Sequence, residues 1–67
     1  MTQQELFNAM TEAFDAGRSV FVVTSTRATE FKPKYRAMLK PSTDGKGFRM
    51  QRGKAWDYVF PENIRIQ

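Results

Sequence analysis

The stretch Lys46-Gly-Phe-Arg-Met-Gln-Arg-Gly-Lys-Ala-Trp-Asp-Tyr58 decides how the chain is read. It holds four cations, four large apolar or aromatic residues and two glycines. Gly53-Lys54 divides the region into two strand-like runs, 48–52 and 55–60. Loop length fixes how two such strands pair, and a slip of one residue sends every side chain to the opposite face. With a two-residue loop, Gln51 lies opposite Trp56 and Arg49 opposite Tyr58, so aromatics and cations share a surface. With a three-residue loop, Arg52 to Lys54, Met50 faces Trp56 and Phe48 faces Tyr58, and the rings become core. A small chain needs its large residues inside, which favours the core register.

Upstream, Tyr35, Ala37 and Leu39 alternate with Lys34, Arg36, Met38 and Lys40, a period of two that predicts a half-buried strand over 34–40. Tyr35, Ala37 and Leu39 would face the core with Phe48 and Met50. Lys34, Arg36, Met38 and Lys40 would then stand with Arg49 and Gln51 on the outer face. Pro41-Ser-Thr-Asp-Gly-Lys-Gly47 supplies turn chemistry centred on Asp44-Gly45. Ser19–Thr26 is rich in β-branched residues and predicts a central strand, 19–26, buried on both faces. Arg27–Pro33 is polar, and Pro33 limits whatever precedes it.

The N-terminal segment has a different period. Leu6, Phe7, Met10, Ala13 and Phe14 recur at three- and four-residue steps, which makes one apolar stripe on a helix over 3–16. Thr2 and Glu5 have the spacing of a capping box. Gly17 supplies the helix stop, with Arg18 near its negative end. Pro61-Glu-Asn63 interrupts the last extended run, and 64–66 forms a final short strand. The expected architecture is therefore α+β, a single domain over 1–67. One N-terminal helix packs on a four- to five-stranded antiparallel meander sheet or a small partly open barrel.

The segment Phe60-Pro-Glu-Asn-Ile-Arg-Ile66 resembles the closing Phe-Pro-x-Asn segment of SH3 domains. In that family a short 3₁₀ turn leads into the last strand of a small barrel. Pro61 and Asn63 match the pattern, and Ile64 stands where the family has a ligand-contacting Tyr. The resemblance covers seven residues and implies a similar SH3-like barrel closure. The family grips proline-rich peptides, but its early aromatic motif has no counterpart here, and its ligand-binding Trp lies further upstream than Trp56.

Composition excludes several kinds of chemistry. The chain has 67 residues, no Cys and no His. Disulfides, thiolate nucleophiles, Cys/His zinc sites and the usual near-neutral general base are ruled out. Asp44, Asp57 and Glu62 lack paired carboxylates, Ser25 and Thr26 lack a base, and Gly45-Lys-Gly47 is too short for a phosphate loop. The chain reads as a non-enzyme with no cofactor and no metal. Met1–Glu5 lacks the character of a signal peptide and no apolar run could span a bilayer, so the expected location is cytoplasmic, with no membrane partner.

Charge carries the functional expectation. Net charge is +4, but residues 1–17 carry −3, residues 18–54 carry +8 and residues 55–67 carry −1. One side of the molecule should be electropositive. Cations interleaved with aromatics on a sheet suit nucleic acid, single-stranded or duplex. The candidate set for nucleic acid or another anion is Lys34, Tyr35, Arg36, Lys40, Lys46, Arg49, Arg52, Lys54 and Trp56. The rival expectation is a protein-binding regulator or inhibitor, such as a phage-encoded one, docking on an acidic surface of a host nucleic-acid enzyme. A homodimer through a strand edge, or through Met10 and Met38, is a third.

Overall fold

The computed structural model describes residues 1–67. Its elements are helix α1 (Gln3–Asp15), strands β1 (Val20–Val23) and β2 (Ala28–Phe31), and a 3₁₀ helix over Pro33–Met38. Strands β3 (Leu39–Pro41), β4 (Phe48–Arg52) and β5 (Ala55–Val59) follow, then a 3₁₀ turn over Pro61–Asn63 and strand β6 (Ile64–Ile66). The class is α+β. Instead of one meander or a closed barrel, the strands form two three-stranded antiparallel sheets, ordered β2-β1-β6 and β3-β4-β5.

The helix begins as its sequence requires. Thr2 is the N-cap, its Oγ1 accepts from the Glu5 N–H at 3.1 Å, and Glu5 Oε1 accepts from the Thr2 N–H at 2.9 Å. Both orphan donors are satisfied reciprocally. Gly17, at φ +78°, takes the left-handed conformation that ends the helix. The stripe turns Met10, Ala13 and Phe14 into the core. There they meet Val20, Val22, Phe31 and Ile64 from one sheet and Leu39, Phe48 and Val59 from the other. Gln3 ties the start of the helix to the β3–β4 turn, its Nε2 donating to the Ser42 carbonyl at 3.0 Å and the Gly47 carbonyl at 2.7 Å.

Three expectations are corrected. The predicted strand 34–40 is a 3₁₀ helix as far as Met38, and only Leu39–Pro41 is strand. Pro33 sits at the first helical position, where its fixed φ is favourable and its missing N–H is no loss. Lys32 before it is extended, as the residue preceding proline prefers. Of the three residues assigned to the core face, Leu39 is buried while Tyr35 and Ala37 are exposed.

The predicted strand 19–26 stops at Val23, because Thr24-Ser-Thr-Arg27 is a turn. The Thr24 N–H donates to the Arg27 carbonyl at 2.8 Å, and Thr24 Oγ1 accepts from the N–H groups of Thr26 and Arg27. A hydroxyl able to cap its own backbone outweighs the β-propensity of threonine here. The chain then doubles back as β2 (Ala28–Phe31), a strand within the polar Arg27–Pro33 segment to which the sequence assigned no element. Within β1 the burial alternates, with Val20 and Val22 buried and Phe21 and Val23 half-buried. The strand is central in its sheet but buried fully on one face only.

The third correction concerns the β4–β5 register. Arg52 pairs with Ala55, Gln51 with Trp56, Met50 with Asp57, Arg49 with Tyr58 and Phe48 with Val59. The loop is therefore Gly53-Lys54 alone, and the core assignment of Trp56 and Tyr58 is overturned. Gly53, at φ +62°, adopts the left-handed conformation that the first central position of a primed two-residue turn demands. The backbone fit of that glycine outweighs the burial that the rings would gain.

Candidate nucleic-acid interface

The pairing places five side chains on the outer face of β3-β4-β5. Lys40 lies opposite Arg49, Arg49 opposite Tyr58 and Gln51 opposite Trp56. Trp56 is 37% exposed and Tyr58 44%, so both rings present surface to solvent. Two cations converge on the indole. Lys40 Nζ is 5.2 Å from its ring centroid and Arg49 Cζ 5.5 Å. Each such contact contributes about 0.5–1 kcal/mol at an exposed site and holds a long side chain in place.

The molecule has two ion pairs, Arg36–Asp15 at 2.7 Å and Arg52–Asp57 at 3.4 Å. Lys40 and Arg49 are in neither. Two like charges therefore stand directly opposite each other with no carboxylate paired to either, an arrangement that favours an incoming anion. Outward-facing Tyr58 and Phe60 extend the aromatic surface. Their rings meet edge to face, with centroids 5.1 Å apart.

Tyr58 is held by the β3–β4 turn. Its hydroxyl donates to Asp44 Oδ2 at 2.9 Å. Asp44 Oδ1 accepts from the Ser42 hydroxyl and from the N–H groups of Lys46 at 2.9 Å and Gly47 at 3.3 Å. The Ser42 hydroxyl, then the Lys46 N–H, hold the Asp44 carboxyl well below the usual carboxylate range. Donation to Asp44 raises the Tyr58 phenol above its ordinary value.

These shifts fix the pH dependence. Asp44 is more acidic folded than unfolded, so its contribution is complete above the ordinary carboxylate pKa and fades as pH falls through the folded value. Tyr58 is less acidic folded, so its contribution is complete below the ordinary phenol pKa and fades as pH rises past the folded value. Thermal midpoints should drop below about pH 4 and above about pH 10. Asp44→Asn should reduce both arms, the acid arm keeping the part due to Glu5, whose carboxyl the hydrogen bonds with Thr2 also lower. A variant profile parallel to the wild type would contradict the assigned bonds.

Gly47 makes this arrangement possible by lacking a side chain. A Cβ there would stand 2.5 Å from Tyr58 Cζ and 2.8 Å from the Val59 carbonyl oxygen. One of these is a tethered ring and the other is backbone, so neither yields easily. Gly47→Ala should destabilise the fold by about 1–3 kcal/mol, read as a lowered denaturation midpoint. It should also loosen Tyr58, read as altered tyrosine ring resonances.

The structure separates the nine candidate residues. Lys40, Arg49 and Trp56 come together. Lys34 and Tyr35 lie on the 3₁₀ helix, with Lys34 Nζ 5.1 Å from the Tyr35 centroid. Lys46 and Lys54 occupy the turns at opposite ends of β4. Arg52 alternates to the other face of β4 and pairs with Asp57 beside a cleft of about 280 Å³ between the sheets. Arg36 turns towards α1, its guanidinium on Asp15 and 5.5 Å from the Phe14 centroid. Met10, named as part of a dimer surface, is buried. Tyr58 and Phe60 were missed as site residues. The signal for Tyr58 was the Gly-Lys loop, whose two-residue length puts Tyr58 opposite Arg49.

No helix is long and apolar enough to cross a membrane. The chain matches no family model, no curated protein and no solved structure at a significant level.

Proposed function

We propose that the chain is a non-catalytic binding module whose β3-β4-β5 outer face grips nucleic acid. One observation carries this reading: Lys40 and Arg49, both outside any ion pair, flank the exposed Trp56 ring. Phosphates would take the place of the missing carboxylates, and each neutralised phosphate releases counterions. Bases would stack on Trp56 at about 1–3 kcal/mol each, with Tyr58 beside it. Preorganisation supports the reading, because the cation–ring contacts and the Asp44 tether hold the face before a ligand arrives.

The test is oligonucleotide binding by the wild type beside the Lys40→Glu, Arg49→Glu variant. Affinity in the first and its loss in the second is the expected pair of results. A wild type that ignores nucleic acid at low salt would redirect the search to an acidic protein surface.

A further inference from the structure

We infer that the face takes a single strand rather than a duplex, because a pocket between β2, the 3₁₀ helix and Gln51, the ladder partner of Trp56, receives one unstacked base. The inference rests on the nucleic-acid reading above and names the ligand class for it. The pocket has a volume of about 180 Å³ and is lined by Thr29, Glu30, Phe31, Tyr35, Met38 and Gln51. That is below the roughly 300 Å³ at which drug-sized ligand sites begin, and it suits a single ring system.

Its position follows from the register. β3 pairs with β4 as far as Leu39 opposite Met50. One step further, the 3₁₀ helix replaces the strand and brings Met38 beside Gln51. Three residues per turn put Tyr35 and Met38 on the same side of that helix, and both line the pocket. Gln51 is the common wall. It faces Trp56 across the β4–β5 ladder and lines the pocket on its other side. The pocket is thus one to two strand spacings from the indole, about 5–10 Å. Successive stacked bases in a duplex are only about 3.4 Å apart along a strand, so two neighbouring bases reach both places only when unstacked.

The lining suits a base. Tyr35, 44% exposed, contributes a ring to the lining, while Phe31 and Met38 give it apolar surface. Gln51 donates through Nε2 to the Gly53 carbonyl at 3.3 Å, which leaves its amide oxygen as an acceptor for a base edge. Each ring has its own cation nearby, Lys34 at Tyr35 and Lys40 with Arg49 at Trp56. Alternating rings and cations match alternating bases and phosphates.

The experiment compares short single-stranded DNA, RNA of the same sequence and the corresponding DNA duplex. Each is titrated into wild type, Tyr35→Ala and Tyr35→Phe at low salt, with folding checked by thermal melts. Tyr35 is exposed, so its loss should leave the melt unchanged. The expected result is wild-type preference for either single strand over duplex by about tenfold or more, a loss of about tenfold in Tyr35→Ala, and retention in Tyr35→Phe. Duplex binding as tight as single strand, or a single-strand affinity indifferent to Tyr35→Ala, would overturn the pocket while leaving the nucleic-acid reading intact. Failure of the wild type to bind any of the three probes would overturn both.

Discussion

Phe48→Ala is expected to remove most of the stability of the fold. Phe48 is the largest fully buried side chain and has no measurable exposure. It sits on the inner face of β4 between Pro41 and Val59 and belongs to the same buried cluster as Met10, Ala13 and Phe14 of α1. Truncating a buried Phe to Ala destabilises by about 3–5 kcal/mol, the sum of lost transfer energy and the void left behind. A domain of 67 residues has a total stability of roughly 3–10 kcal/mol. The variant should therefore be partly or wholly unfolded at 25 °C, seen as a lost or broadened urea transition by far-UV circular dichroism. Phe60→Ala is the control. Phe60 is 56% exposed and packs edge to face on Tyr58, and its loss should change stability by about 0.5–1.5 kcal/mol. Equal effects of the two would mean that Phe48 is not part of the buried core.

The helix was legible in the sequence because several local signals agreed on it. Capping box, apolar stripe and glycine stop all pointed to one segment, and the observed α1 departs from the expected 3–16 by a single residue. β4 was legible for a similar reason, lying between two turns whose chemistry is explicit. Pro33–Met38 was not. Its alternation of Tyr35 and Ala37 with cations fits a strand, and the weak contrast offered by Ala37 could not outvote it. The deciding factor was Pro33, whose ring starts a 3₁₀ turn as readily as it ends a strand. β2 was obscured by its polar edge position, where Phe31 is its one buried residue.

The site was half legible. Cations and aromatics were visible in the sequence, but their face depended on the number of residues in one turn. A general preference for burying Trp was set against a specific requirement for positive φ at Gly53, and the specific requirement won. The partner of Arg52 followed from the same two-residue loop, which puts Asp57 on its face, while the partner of Arg36 was beyond sequence reasoning. Asp15 is brought to Arg36 only by the packing of α1 against the 3₁₀ helix.

Reversing both central cations, Lys40→Glu with Arg49→Glu, is expected to abolish binding to nucleic acid. Two phosphate contacts on a single strand correspond to a slope of about −1.4 in log affinity against log salt. Reversal removes both contacts and sets two carboxylates against the phosphate backbone and beside the Trp56 ring. Affinity at low salt should fall by about a hundredfold or more, from loss of the contacts and the new repulsion together. Stability should fall by no more than about 1–2 kcal/mol, the two cation–ring contacts with Trp56, since both residues are exposed and outside any ion pair. Arg36→Glu is the informative comparison. Its guanidinium faces Asp15, so the change should act on the helix contact and leave affinity within about twofold of wild type, apart from the general loss of charge. If Arg36→Glu were as damaging as the double reversal, binding would depend on net charge and not on the β3-β4-β5 face.

The most direct measurement uses Trp56, the single Trp of the chain, as its own reporter. Wild-type protein is titrated with a short single strand at about 50 and 200 mM salt while indole fluorescence is followed. The account predicts quenching, with an affinity that falls at least about sevenfold between the two salt concentrations, as two released phosphate counterions require. An indole signal that does not change at 50 mM salt, with no binding by anisotropy of a labelled strand, would contradict it.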